Sequence, residues 1–391
     1  RLVEVPASVA VLSADMIAKT GAQNAEDFAQ LTPGVTIVTG TAEAGDTQVN
    51  IRGINGARDA ESSVALVVDG ILKTNTAQLN QNQGTLRQIE ILKGPQGALY
   101  GRNAAAGAIV ISTLKPGDTF EGAIRASYAN ENTIEGSAYI AAPMGEGAGV
   151  VLSGYYRTTD GFYNNLFLGN QKVVDDQEVY SIDGRLMAKL GDNTDIDFKA
   201  RYSKLQGASI NFNASFHLPN FAAVNPAFNE DVNKHPFRYY SNIRPTNEQE
   251  SFDVSLKLEH NFDTMKLVWW GLYSDVKQSL TADGTSADFA RYIAPAAAGA
   301  TANPTNLAVQ NKCFATTAAA TGFPVNQPGF VGQIPVPFIF APANGSTFGP
   351  YSPTSCDGTQ FQIRNQKDFS TEVRLASTGD GPVDWQVGAY Y

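Results

Sequence analysis

Long apolar runs are missing from this sequence. No stretch approaches the ~18 consecutive apolar residues of a membrane-spanning helix. That excludes a helical crossing of a bilayer. A transmembrane β-strand stays open, because it needs only about 9–11 alternating residues. Cysteine is nearly absent, with Cys313 and Cys356 alone. Both lie in a Pro/Gly/Ala/Thr-rich region and lack metal-ligand spacing. They read as a loop-closing disulfide in an oxidising compartment, with two unrelated thiols as the alternative. Basic charge is short as well: 28 Lys and Arg against 38 Asp and Glu give a net charge of -10. A nucleic-acid partner is therefore not expected. The chain begins at Arg1 without methionine or signal peptide, which reads as a mature or trimmed N-terminus. Catalytic signatures are missing too. There is no Gly-Lys-Ser/Thr phosphate loop, no Gly-x-Ser-x-Gly and no His-Glu-x-x-His, so no enzyme activity, cofactor or metal site is expected. What is abundant is glycine, at 36 residues, with 10% aromatics and only 17% charged residues. That mix suits a β-rich protein with many turns.

Residues 1–116 form one compositional block. Val9–Leu12 is a short strand. Ser13 caps a helix through Ala18 that stops at Gly21, and Asn24 caps a second that stops at Thr32-Pro33-Gly34. Gln48–Arg52, Val64–Asp69, Ile89–Leu92 and Ala108–Ser112 read as strands apolar on both sides, as expected where both faces are covered. The expectation is a small α+β domain.

Residues 117–391 follow a different rule. Ile196, Phe198, Ala200 and Tyr202 alternate with Asp195, Asp197, Lys199, Arg201 and Ser203. Phe252, Val254, Leu256 and Leu258 alternate likewise with Ser251, Asp253, Ser255, Lys257 and Glu259. Period-2 alternation gives each strand one apolar and one charged face. About nine such strands are expected, near 121–129, 133–142, 148–158, 178–190, 194–206, 250–262, 265–282, 367–378 and 383–391. Tight turns at one end alternate with long loops at the other, the sidedness of an outer-membrane barrel. A soluble β-sandwich with large insertions also has strands with one apolar face, but loops of ~40 and ~80 residues are unusual in a compact soluble domain. Tyr128, Tyr156, Tyr202, Trp269, Trp270, Tyr273, Trp385 and Tyr391 fall near strand ends, as an interfacial girdle would. Trp269 and Trp270 point to opposite faces, so one of them lies inside the wall.

Ile89 to Pro116 joins two apolar runs through a turn holding Gly94, Gly97, Gly101 and Gly107. Upstream, in order, come Pro6–Ser13, Leu31-Thr32-Pro33-Gly34-Val35, Ile51-Arg52-Gly53-Ile54 and Val67-Val68-Asp69-Gly70-Ile71; Leu99-Tyr100-Gly101-Arg102-Asn103 through Ile109 completes the set. These six ordered elements resemble the plug domain of the TonB-dependent outer-membrane receptors. The resemblance implies an α+β plug inside a transmembrane antiparallel β-barrel of about 22 strands. About nine would be present here, so the chain is expected to be a piece with the TonB box upstream of Arg1.

The resemblance also implies function: energised uptake of a scarce large ligand across the bacterial outer membrane. The ligand classes are ferric siderophores first, then haem, cobalamin and some oligosaccharides or peptides. The implied partners are a TonB–ExbB–ExbD type inner-membrane complex and outer-membrane lipid. Outward plug turns make Asn55, Arg58, Asp59, Lys73, Asn75, Gln78, Asn80 and Asn82 candidate ligand contacts, with solvated loop polarity as the plain alternative. Arg52, Glu90, Lys93 and Arg102 are candidates for plug–wall ion pairs that hold and gate the plug. His217 and His235 are available for haem, but only a loose Asn303-Pro304 match accompanies them. A non-transport adhesin or scaffold carrying a plug-like domain is the runner-up.

Overall fold

The computed structural model describes residues 8–20, 25–39, 47–55, 62–80, 85–165, 171–208, 233, 237–239, 244–283, 359–378 and 383–391. The N-terminal part runs β1 (Ser8–Ser13), α1 (Ala14–Thr20), α2 (Ala25–Gln30), β2 (Val35–Thr39), β3 (Thr47–Ile51), β4 (Ile54–Asn55), β5 (Val64–Val68), β6 (Ile71–Lys73), a 3-10 turn (Thr76–Asn80), β7 (Leu86–Lys93), α3 (Gly97–Tyr100) and β8 (Gly107–Thr113). The Ser13 hydroxyl accepts the Met16 amide at 3.3 Å, so it caps α1 as its sequence position predicts. A five-stranded sheet has the order β1-β7-β8-β5-β6, with β5 and β8 parallel. Both faces are covered: Phe28, Ile51, Leu66 and Ile109 pack in one cluster, and Ala65, Leu92, Ala104 and Ala108 in another. This two-sided burial is why the strands read as continuous apolar runs. Several elements were not legible in the sequence, among them β4, β6 and the 3-10 turn. Val35–Thr39 pairs with β3 as a strand, and a single helical turn, α3, interrupts the glycine-rich connection.

The second part supplies β9 (Glu121–Ala129), β10 (Thr133–Pro143), β11 (Ala148–Thr159), β12 (Asn164–Asn165), β13 (Gln177–Leu190), β14 (Thr194–Gly207), β15 (Arg238–Tyr239), β16 (Thr246–Asn261), β17 (Met265–Asp283), β18 (Thr359–Ser377) and β19 (Gln386–Tyr390). Nine of these form one antiparallel up-and-down sheet, β9-β10-β11-β13-β14-β16-β17-β18-β19. Among the described residues its edges are β9 and β19. The tiny β12 and β15 pair separately at the long-loop end. There burial pushes the Asp176 carboxyl up against the opposing pull of Arg244, whose guanidinium lies at 3.0 Å.

Alternation in the sequence becomes sidedness in the sheet. Ile182, Leu186, Phe198, Phe252 and Leu256 are exposed on the outer face. Ser203, Ser251, Asp253 and Ser255 are buried on the inner one, because the N-terminal domain lies against it. β16 and β18 begin at Thr246 and Thr359, earlier than periodicity suggested. Their extra residues, such as Gln360, Gln362 and Gln366, are polar without being charged, so the pattern fades before the strand does.

Candidate functional site

The inner face of the wall is organised in rows by strand register. Asp183, Arg201, Asp253, Ser274 and Asp368 stand opposite one another on β13, β14, β16, β17 and β18. The next inward row is Arg185, Lys199, Ser255, Leu272 and Ser370. One row is acidic with a single arginine; its neighbour is basic.

The β5–β6 hairpin answers both rows. Its turn is Asp69-Gly70, with φ of 51° and 83°. Two successive left-handed residues make the tight turn that suits a twisted hairpin, and Asp-Gly is its usual sequence. The Asp69 carboxylate accepts the Thr113 amide at 2.9 Å and the Thr113 hydroxyl at 2.7 Å. It also ion-pairs with Lys199 and, at 3.5 Å, with Arg185. Arg185 makes a two-pronged contact with Asp197 at 2.9 and 2.6 Å. Its remaining nitrogen donates to the Thr113 and Leu114 carbonyls at 3.2 and 3.0 Å, where the chain leaves the inner domain. A planar guanidinium fork suits this mixed set of acceptors.

Past the turn, Lys73 to Gln78 meets the acidic row. Lys73 reaches Asp253 at 3.2 Å. The Gln78 amide donates to both Asp253 oxygens at 3.0 and 3.2 Å and to the Ser274 hydroxyl at 3.0 Å. Thr74 donates to Asp368 at 2.5 Å, and Asn75 to Gln366 at 3.1 Å. Between hairpin and wall lies a cavity of about 80 Å³ with a mixed lining: Lys73, Asp183, Arg185 and Arg201 beside Ile71 and Val151, among others. Below it, Trp270 is 2% exposed and packs on Ile71 and Leu272. Its indole N–H donates to Glu372 at 3.1 Å. Trp270 is therefore the inward tryptophan and no part of a girdle. Trp270→Ala is expected to cost about 3–5 kcal/mol, since the cavity it leaves is walled by both domains. Thermal unfolding in detergent checks this.

Several expected site residues have other tasks. Gln78 is buried with its amide on the wall, and Lys73 and Asn75 are likewise engaged, so these three are plug–wall contacts and not open cavity floor. Asn55 lies in β4 and Asn80 closes the 3-10 turn. Arg58, Asp59, Asn82, Cys313 and Cys356 lie outside the described residues, as do His217 and His235. Of the four charges expected to pair with the wall, Lys93 and Glu90 find partners within the plug itself. Lys93 donates to the Pro33 carbonyl at 2.7 Å, and Glu90 accepts from Gln88 at 2.6 Å. Burial, then the nearby Glu90 charge, push the Tyr100 hydroxyl up, so Glu90 faces the plug's own interior. Arg52, exposed at a left-handed φ of 53°, reaches over Gly94, and Arg102 is exposed just beyond α3. The contacts run instead through Asp69, Lys73, Thr74, Gln78 and Thr113. Of these, Asp69 carried a signal in its Val-Val-Asp-Gly motif, and Lys73 and Gln78 stood out as polar residues expected to meet ligand, while Thr74 and Thr113 gave none.

The family model described as "TonB-dependent Receptor Plug Domain" matches residues 1–108. The "Pesticin receptor" of Yersinia pestis is 30% identical over 143 residues, which is 36% of this chain and 21% of that protein. The "Vitamin B12 transporter BtuB" of Vibrio vulnificus is 29% identical over 166 residues, 41% of this chain and 26% of that one. The crystal structure of the ferric yersiniabactin uptake receptor FyuA from Yersinia pestis superposes with a TM-score of 0.68 at 16% identity, over 98% of this chain and 48% of that chain. This chain thus spans about half the length of that receptor. The ordered plug motifs, the β5–β6 hairpin seated on a charged wall and these likenesses agree: residues 1–108 carry a TonB-dependent receptor plug domain, and plug and adjoining sheet together share the fold of the solved receptor.

Proposed function

We propose that this chain is the plug and adjoining wall of an outer-membrane import receptor. The receptor binds a scarce large ligand, a ferric siderophore before other classes, and passes it to the periplasm with TonB-coupled energy. The observation that carries this reading is the seating of the plug on the wall's inner face. Paired buried charges and a buried tryptophan hold it there, so the lumen is occupied and passive diffusion is blocked. Ligand is expected to meet the long-loop side, around Asn55, Asn80 and the segments holding Arg58, Asp59 and Asn82.

The outer face bears on orientation. Its apolar stretch on β14 runs from Ile196 to Tyr202. At the Tyr202 level the outer face already carries the Lys367–Asp275 pair at 3.4 Å, and one step further toward the long loops lies Lys277–Glu250 at 3.2 Å. Such pairs belong in water or among headgroups, which supports the reading that the long-loop ends extend beyond the hydrocarbon, on the exterior side as in barrels of this kind. Phe198→Arg, in the middle of the apolar stretch, is expected to destabilise the barrel by about 2–4 kcal/mol. Urea titration of folding into lipid vesicles measures it; Lys204→Arg, outside the stretch, should be near neutral.

The functional test is binding and uptake by the intact receptor across ferric siderophores, haem, cobalamin and oligosaccharides. Saturable binding of one ferric siderophore, with uptake lost when TonB is absent, is the expected result. Recovery of the protein as a soluble monomer without detergent would sink the reading.

A further inference from the structure

We infer that the plug segment Lys73–Gln78 is a wall-side latch, and that the passage it closes lies between the β5–β6 hairpin and wall strands β13, β14 and β16. The inference deepens the import reading and rests on it. Three observations point to this side of the plug. First, Asp253 gathers three plug or wall donors on one buried carboxylate: Lys73, Gln78 and Ser274, the last at 2.6 Å. Opposed charges at this density hold geometry well but add little net stability, since desolvation offsets the attraction. A contact of that kind resists thermal drift yet can be parted without dismantling a core. Second, the cavity of about 80 Å³, with charged side chains in its lining, already lies on one side of the latch. Its lining runs from Asp183, Arg201 and Asp253 in the acidic row, past Arg185 in the basic row, to Thr113 and Leu114 at the exit of the plug. It therefore extends from the latch toward the turn side of the wall, with Lys73 and Asp253 at its loop-side end. Third, Asp183, which lines this cavity, is poorly satisfied: its Oδ2 is buried without a protein partner. A buried polar atom left in this state needs water, which an 80 Å³ space lined in part by Lys73, Arg185, Arg201 and Asp253 can hold. The plug core offers the opposite. Its cavity, lined by Phe28, Ile37, Leu79 and Ile89, is about 10 Å³ and apolar, too small and dry for a hydrated route. Lifting Lys73 and Gln78 off Asp253 joins a wet pocket to the loop-side lumen, while the Asp69–Arg185–Lys199 contacts two residues further along the strands keep the hairpin turn anchored.

The test is accessibility of a cysteine inside the cavity. Ser255→Cys is placed in the intact receptor after Cys313→Ser and Cys356→Ser, and the receptor is kept in outer-membrane vesicles. A small cationic methanethiosulfonate reagent is added from the loop side. Adding Asp253→Asn, or from the opposite side of the latch Lys73→Met, is expected to speed modification of Ser255→Cys about tenfold, as a contact worth about 1.4 kcal/mol would. The charge swap Lys73→Asp with Asp253→Lys should restore the slow rate. Ala106→Cys in the plug core reports general loosening and should stay slow in every variant. Equal acceleration at both positions would show that Asp253 merely stabilises the plug, and an unchanged rate at Ser255→Cys would place the passage elsewhere; either overturns the latch. If one variant fails to fold, the other carries the measurement. Because the readout is thiol modification, failure of ligand import leaves this result standing, and the reverse holds too.

Discussion

Asp69→Ala should lower the stability of the plug–wall assembly by about 3–5 kcal/mol, the cost of removing one partner from a buried ion pair. The Asp69 side chain is 4% exposed and faces two cations, Lys199 and Arg185. Arg185 keeps Asp197 as a two-pronged partner when Asp69 is lost. Lys199 does not, and Lys257 and Arg201 stand near it, so its ammonium is left buried among like charges. Thr113 also loses the acceptor for its amide and hydroxyl. Thermal unfolding in detergent, read by plug-specific protease cleavage, measures the effect. Two companions separate charge from backbone. Asp69→Asn keeps a residue that tolerates left-handed φ, so it loses the charge alone. Asp69→Asn with Lys199→Met removes both members of the pair and is expected to recover most of the loss. A change below about 1 kcal/mol for Asp69→Ala would mean that water reaches the pair and screens it.

Gly107→Val should be the most damaging substitution in the glycine-rich segment. A Cβ at Gly107 would run into the Leu92 carbonyl oxygen and lie 2.9 Å from Ile51 Cδ1. Neither neighbour can yield: Gly107 is in register with Lys93, the Gly94 amide donates to the Ala106 carbonyl at 2.9 Å, and Ile51 is fully buried. Overpacking of this kind costs about 1–3 kcal/mol and more where backbone blocks the way, so Gly107→Ala should sit at the top of that range and Gly107→Val beyond it. Gly97→Ala is the control, since nothing lies within 4 Å of its Cβ position and alanine favours the short helix α3. Protease resistance of the plug and urea midpoints rank the three; equal midpoints would refute the close-approach account.

These four glycines show how far sequence reading goes. Their density announced a turn-rich, closely packed connection, but four identical letters hide two different reasons and one position with neither. Gly94 and Gly101 adopt φ of 107° and 72°, conformations that L side chains rarely take. Gly107 is needed for a close approach across β7 and β8, and Gly97 for neither. The wall was legible for a simpler reason. A strand that divides lipid from a polar interior must alternate, and alternation is visible in one dimension. The expected strand spans thus fall within a few residues of β9 to β14 and of β17. β16 and β18 ran longer because neutral polar residues weaken the pattern, and β2 was lost beside the Pro33-Gly34 punctuation. The contact residues were legible only in part. Lys73 and Gln78 stood out as polar residues on a plug turn, yet nothing local distinguishes a side chain that meets ligand from one that meets the wall.

By itself, then, the sequence determined the two-part division, the strand periodicity, the plug's motif order and the charged inner face. Those depend on contacts close in the chain or on burial against a single medium. Only the tertiary structure decided which charges meet. Asp253 and Lys73 are 180 residues apart. Their pairing depends on the register of successive strands and on the height at which the plug sits, and a two-residue slip in either would bring Lys73 to the basic row instead.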